Sequence, residues 1–329
     1  MVRIGCIGCG AWGANLLRVW QQTAGAIVAG VCRKGPSGPD ELIDQCPEAR
    51  WYDSAEDLFA DDNIQAVCIA TPPATHHELA KQALQAHKHV FVEKPMCLNV
   101  AHAEELAGLA DTRSAVLMVG HLMEHHGAVR AIKQALDRGA IGQLRHLHLQ
   151  RLKLGRVRSE ENVLWSFAPH DISIAGYLLQ QTPSCVTAVG HCYVQPGIED
   201  IVFVDADYGH GLSLHLHVSW LHPRTVRQAV LIGSEGMIVW DDMARQDKVQ
   251  LARNTIAPDL SSVVGETTPL VYDDEQPLQA ECAHFVECIA SGRRPVNDGW
   301  DGVRVVKVLQ AATEALARDH CHPPNTSVH

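Results

Sequence analysis

Short apolar runs alternate with amphipathic stretches through the first 120 residues. Val2–Ile7, Ala26–Cys32, Ala66–Ala70, His89–Glu93 and Ala115–Gly120 read as buried strands, since each is a brief apolar run. Between them Ala14–Trp20, Ala55–Phe59, 75–87 and 99–111 have helical spacing, with Thr75 as the N-cap of the third. Strands and helices alternating at this interval predict parallel βαβ units with right-handed crossovers. The rhythm then changes. An amphipathic helix over 127–138 ends at Gly139, Leu144–Leu154 alternates as a strand, and 169–180 is a helix. From 184 to about 252 strands follow one another, among them Val202–Tyr208, Leu212–Trp220, Val226–Ile232 and Met237–Asp241. Helices at 276–291 and 300–317 complete the pattern, and the tail from 319 is expected to fray.

A chain of 329 residues, 46% hydrophobic and 20% charged, is long enough for two domains with a sizeable core. Its net charge of -11 argues against a nucleic-acid or anionic-membrane surface. The N-terminus runs straight into a strand without a charged leader, and no apolar run approaches a membrane span. The 11 cysteines are scattered and odd in number, several inside apolar runs (Cys6, Cys32, Cys68), which suits reduced core thiols and a cytoplasmic location.

The loop Gly8-Cys9-Gly10-Ala11-Trp12-Gly13 follows the first strand and opens a helix, the context in which a GxGxxG pattern is specific for a dinucleotide. Gly8 permits the tight turn, Gly10 lets backbone N–H groups approach a pyrophosphate, and Gly13 packs helix on strand. An acidic residue is expected at the end of the second strand to bind the ribose; Arg33 and Lys34 stand there instead, which suits a 2′-phosphate or stacking on adenine. Glu93-Lys94-Pro95 ends the run Val90–Val92 and places a lysine at a strand end, where open α/β sheets put their ligands. Hydride transfer is the chemistry this pairing suggests. The predicted fold is α/β: an N-terminal Rossmann dinucleotide-binding domain over 1–122, onto which the helix at 300–317 packs, and an α+β substrate-binding and oligomerisation domain over 123–299 with a mainly antiparallel sheet.

The glycine loop, Ala70-Thr71-Pro72-Pro73-Ala74-Thr75-His76, Glu93-Lys94-Pro95 and Trp165-Ser166-Phe167-Ala168-Pro169-His170-Asp171 occur in the order found in the Gfo/Idh/MocA oxidoreductases, which the chain resembles from Ile4 to about Leu316. Within that family, the segments from Gly120-His121 to Arg130, Gln150–Arg156, Ser219–Pro223 and Gly233–Met237 resemble nucleotide-sugar 3-dehydrogenases of bacterial polysaccharide and lipid A pathways. The resemblance implies an NAD cofactor, with NADP made possible by Arg33 and Lys34. Gly8, Gly10, Ala11, Trp12, Gly13, Thr71, Pro72, His76, Glu93 and Lys94 would surround it. It implies a UDP-sugar substrate, UDP-N-acetylglucosamine foremost, met by His121, Arg151, Arg156, Arg158, Trp165 and His170. Lys94 and His170 would be catalytic: His170 takes the proton of the C3 hydroxyl as C3 gives up hydride, and Lys94 hydrogen-bonds the same oxygen. The family often has aspartate four residues before the histidine, where this chain has Ser166. His170 is expected near a helix N-terminus, which disfavours the imidazolium and suits a general base. Arg151, Arg156 and Arg158 suit a diphosphate because guanidinium forks match phosphate oxygens.

Other signals are read as structural. Cys6 and Cys9 have metal spacing, but a metal there would block the phosphate loop. His76-His77, His125-His126, His146/His148 and His215/His217 resemble ligand pairs without a carboxylate or cysteine to complete a set, so no metal is expected. The alternation of Ser213, His215, His217 and Ser219 with apolar residues predicts a sheet whose weakly charged outer face packs against another subunit, in a homodimer or homotetramer. A cyclitol or free-sugar dehydrogenase and a non-catalytic nicotinamide-nucleotide sensor are the alternatives. Oxidation of a secondary alcohol by NAD is uphill near neutral pH, so coupling to a sugar aminotransferase is expected from the resemblance.

Overall fold

The computed structural model describes residues 1–32 and 46–318. The described residues divide into two compact units: those within 1–127 together with 273–307, and 128–272 together with 308–318.

The first unit is built on a six-stranded parallel sheet of β1 (Val2–Ile7), β2 (Ala26–Cys32), β3 (Arg50–Tyr52), β4 (Ala66–Ile69), β5 (His89–Val92) and β6 (Leu117–Val119), in the order β3-β2-β1-β4-β5-β6. Strand order reverses between β1 and β4, and such a switch point opens a crevice at the carboxyl ends of the strands. The four residues of β4 and the last three of β5 are all buried. Their near-continuous apolar character follows from helices covering both faces. β3 is an edge strand too short to show a period, and sequence patterning does not predict it. Helix Ala11–Gln22 presents Leu16, Leu17 and Trp20 to the core. Trp20, Phe91 and Phe285 meet edge to face, with ring centroids 5.5 to 5.8 Å apart. Phe285 lies on helix Pro277–Ser291, which therefore packs in this unit and not in the second domain expected from the sequence. Thr75 also differs from expectation. Its hydroxyl bonds Thr71 Oγ1 (2.6 Å) and the Pro72 carbonyl (2.8 Å), and it caps no amide of helix His76–Gln85.

The second unit holds an eight-stranded sheet. Its strands are β7 (Leu144–Leu152), β8 (Cys185–His191), β9 (Ile201–Gly209), β10 (Leu212–Ser219), β11 (Val226–Gly233), β12 (Met237–Asp241), β13 (Val249–Ala252) and β16 (Thr267–Pro269). The hairpin β14 (Thr255–Ile256) and β15 (Ser262–Val263) stands apart from it. The order is β16-β13-β12-β11-β7-β10-β9-β8, antiparallel throughout except for the central pair β7 and β10. That parallel pair arises because the chain leaves β7 through helix Val163–Leu179, enters at the far edge as β8, and meanders back. The buried residues Leu147, Leu149, Leu214, Leu216, Val204 and Leu231 form the inner face beneath that helix.

Among the described residues no helix is long and apolar enough to cross a membrane. Their ten cysteines are all free, and only Cys185 and Cys192 are exposed.

Candidate active site

The glycine loop leaves β1 at the switch point of the first sheet. Gly8 has φ +92°, and a Cβ there would lie 2.7 Å from the Ala70 carbonyl carbon. A Cβ on Gly13 would sit 1.8 Å from the Gly8 carbonyl oxygen, so only glycine allows helix Ala11–Gln22 to start this close to the loop. At Gly10 the position a Cβ would fill is open, with no atom within 4 Å. No side chain caps this helix and no acidic residue occupies its first turn. Its first amides, on Ala11, Trp12 and Gly13, can therefore receive a pyrophosphate, and these residues fit a dinucleotide.

Glu93 links this loop to Lys94. Glu93 is 7% exposed, its Oε1 accepting from Trp12 Nε1 at 2.5 Å and its Oε2 from the Lys94 amide at 3.2 Å. Burial raises the pKa of this carboxyl, opposed by the Trp12 hydrogen bond and the Lys94 charge. Gly120, at the end of β6, makes room for it: a Cβ there would touch all three carboxylate atoms at 3.1 Å. Thr71 and Pro72 follow β4 at the same sheet edge. The structure thus brings Gly8, Gly10, Ala11, Trp12, Gly13, Thr71, Pro72, Glu93 and Lys94 to the carboxyl ends of neighbouring strands. Arg33 and Lys34 lie outside the described residues.

Two predicted contacts are buried struts. His76 is fully buried, its Nδ1 2.8 Å from the Pro95 carbonyl and its Nε2 2.7 Å from that of Thr71. It ties two loops together and presents no ring nitrogen to a ligand. Burial pushes its pKa down, although both carbonyl contacts favour the charged ring.

His121 was expected at the substrate, yet it is 1% exposed and binds Asp301 Oδ2 through Nδ1 at 2.7 Å, with Glu124 Oε1 at 3.5 Å. Arg304 Nη2 donates to the other Asp301 oxygen at 2.9 Å. Burial opposes the imidazolium, but the bonds to Asp301 and Glu124 outweigh it and hold the His121 pKa up at about 9. Burial and the Asp301 charge keep Glu124 protonated far above the ordinary carboxylate range. His121, Glu124 and Asp301 have metal-ligand chemistry and close spacing. The positive charge they require is already supplied by His121 itself and Arg304, so the group is a closed ion-pair cluster. Nearby Asn297 donates to the Val119 carbonyl (2.6 Å) and to Glu281 Oε1 (3.0 Å). Sequence reasoning missed Glu124, Asp301, Asn297 and Glu281. The signal for Glu124, Asp301 and Glu281 is polar character at helix positions that otherwise point inward; Asn297 lies in the turn between the last two helices and gives none.

In the second unit, Asn162 caps helix Val163–Leu179 by accepting from the Trp165 amide at 3.1 Å. Pro169 lies inside this helix and does not begin it as expected. His170 is consequently about two turns past the cap, beyond the reach of the N-terminal dipole, and the expected dipole effect on its ring does not apply. Its carbonyl accepts from Ser173 Oγ at 2.9 Å. Arg151 is not open to a diphosphate. It forks onto Asp171, Nε to Oδ2 at 2.6 Å and Nη2 to Oδ1 at 3.0 Å, with side chains 11% and 4% exposed. Arg156 is exposed, and Arg158 is an exposed residue 3.7 Å from Glu161. The Trp165 indole donates to Thr313 Oγ1 at 3.0 Å.

Comparison with known proteins agrees with this organisation. Residues 2–121 match the Gfo/Idh/MocA oxidoreductase family model with an NAD-binding Rossmann fold, and 129–239 match the Gfo/Idh/MocA C-terminal domain. A UDP-N-acetylglucosamine 3-dehydrogenase of Acidithiobacillus ferrooxidans is 30% identical, covering 96% of this chain and 98% of its own. A solved structure of that enzyme superimposes with a TM-score of 0.83 at 25% identity, covering 96% of this chain and 97% of the other. A 1,5-anhydro-D-fructose reductase of Ensifer adhaerens is 26% identical over 80% of this chain and 81% of its own. The chain belongs to the Gfo/Idh/MocA family and is an NAD-binding oxidoreductase of a sugar or sugar derivative.

Proposed function

We propose that the protein oxidises the C3 hydroxyl of a UDP-sugar, UDP-N-acetylglucosamine foremost, with NAD as acceptor. The observation that carries this reading is the bond from Trp12 to Glu93, which ties the open glycine loop to the strand end bearing Lys94. The substrate class rests on the full-length similarity to the A. ferrooxidans enzyme. When bound, NAD supplies the hydride acceptor. Gly8, Gly10, Ala11, Trp12 and Gly13 hold its phosphates, with Thr71 and Pro72 alongside. Lys94 donates a hydrogen bond to the reacting oxygen and stabilises its developing charge. His170 accepts the hydroxyl proton as general base. Arg156 and Arg158 are the cations offered to the diphosphate. Binding of NADP in place of NAD would draw on Arg33 and Lys34. The enzyme acts in the cytoplasm as a homodimer or homotetramer through the outer face of the second sheet. An aminotransferase that consumes the ketosugar draws the reaction forward, and the pathway is that of bacterial polysaccharide or lipid A.

A specific observation favours a second assignment, a free-sugar or cyclitol dehydrogenase: Asp171 saturates Arg151, which removes one of three expected diphosphate ligands. A substrate panel with NAD separates the two. UDP-N-acetylglucosamine, its uronic acid and UDP-glucose are compared with myo-inositol and glucose 6-phosphate by NADH absorbance. Faster turnover of the free polyols than of any UDP-sugar would replace the first assignment by the second.

A further inference from the structure

In the second unit, the connection from β8 to β9 is exposed at its tip and tied down at its base. Asp200, fully buried, accepts through Oδ2 from the amides of Tyr193 (2.7 Å) and Val194 (2.8 Å). Its own amide donates to the His191 carbonyl at 2.8 Å, and its carbonyl accepts from the Trp220 amide at 3.0 Å. Gln195 Nε2 donates to the Arg158 carbonyl. Glu199 accepts from the Val163 amide at 3.0 Å through its carbonyl, and from Asn162 Nδ2 at 2.7 Å through Oε2. Asn162 is the cap of the helix that carries His170. The loop is therefore fastened on one side to the segment bearing Arg156 and Arg158, and on the other to the start of the His170 helix. Yet it presents Tyr193 and Val194 to solvent, 68% and 54% exposed. A lone exposed aromatic is ordinary. Here a buried carboxylate holds the loop that displays it, and burying a carboxylate is costly. His191 stacks on the Tyr193 ring at 5.7 Å and is its one ring contact among the described residues.

We infer that Tyr193 is the platform on which the uracil of the UDP-sugar stacks. This deepens the UDP-sugar assignment and rests on it. The order of groups along the second unit matches the order of parts in such a substrate: Tyr193 for the base, Arg156 and Arg158 for the diphosphate, His170 for the sugar. His170 stands eight residues beyond Asn162, about 12 Å along the helix axis. A ribose and a diphosphate bridge a gap of that order. Tyrosine suits the role because its ring is large and has few torsions to freeze on binding. Every base has a π-face, so the ring supplies affinity without choosing among bases. A free polyol has no base to stack, so Tyr193 favours nucleotide sugars over free sugars.

Calorimetric titration of the full-length protein with UDP tests the inference, with NADH at saturation to keep UDP out of the glycine loop. The wild type should bind UDP saturably below about 1 mM, the ordinary upper range for substrates. Tyr193→Ala should weaken this about tenfold or more, the scale of one base stacked on one aromatic ring. Tyr193→Phe keeps the ring and should keep the affinity. An exposed side chain can be exchanged without unfolding the chain, and circular dichroism checks each variant. UDP affinity unchanged in Tyr193→Ala would overturn the platform alone and leave the UDP-sugar assignment standing. A phenylalanine variant as weak as the alanine one would overturn it too, since the hydroxyl and not the ring would then act. So would a changed sedimentation coefficient in Tyr193→Ala with UDP affinity intact, which would place the ring between subunits. Absence of UDP binding by the wild type would overturn both the platform and the nucleotide-sugar assignment beneath it.

Discussion

Arg151 shows how a residue type can be right and its partner wrong. Guanidinium suits phosphate, but it suits a carboxylate equally well, and Asp171 stands one residue after His170 to receive it. The pair is nearly buried, so removing one member leaves a charge without compensation. Arg151→Met should lower unfolding free energy by about 3–5 kcal/mol in a denaturant titration. Unchanged stability with a raised KM for the substrate would instead make Arg151 a phosphate ligand. For the catalytic pair, Lys94→Ala and His170→Ala should each reduce kcat by about a hundredfold or more, the usual scale for acid–base groups. NAD affinity should persist, because the glycine loop is untouched. Near-normal turnover in either variant would remove that residue from the mechanism. His121 makes a pH prediction. Its pKa is raised from 6.5 to about 9 by folding, so its ion pair stabilises fully below pH 6.5 and ceases to do so as pH rises through 9. The difference in melting temperature between wild type and Asp301→Asn should therefore narrow across that interval. A difference that is constant or widens would show His121 to be neutral in the fold.

At the scale of elements, the glycine loop was legible because each glycine answers a separate demand of strand, turn and helix. Gly13→Ala should abolish NADH binding, measured by fluorescence titration, since its Cβ would meet the Gly8 carbonyl at 1.8 Å. Retained affinity would mean that the loop can open without loss. The start of the His170 helix was less legible. Proline favours a first-turn position, so Pro169 looked like a beginning, while the true cap, Asn162, lies in a polar stretch that gives no period. The parallel pairing of β7 and β10 was hidden for another reason. Period-two alternation reports which face a strand buries and says nothing of its neighbour.

Across the whole molecule, the sequence of apolar runs identified a parallel α/β unit followed by a mainly antiparallel one, and the family match agrees with both. Helix Pro277–Ser291 was misplaced because an amphipathic period shows that a helix packs without showing on what; Phe285 meets Trp20 and Phe91. The buried cluster around His121 escaped for a related reason: Asp301 is 180 residues from its partner. The central claim is that hydride leaves C3 of UDP-N-acetylglucosamine for NAD. Incubating the protein with NAD and UDP-N-acetylglucosamine deuterated at C3, then weighing the reduced cofactor by mass spectrometry, tests it directly. The account predicts deuterated NADH and a 3-keto nucleotide sugar in equal amounts. Reduced cofactor without deuterium, or no turnover of this sugar by protein that readily oxidises a free polyol, would contradict it.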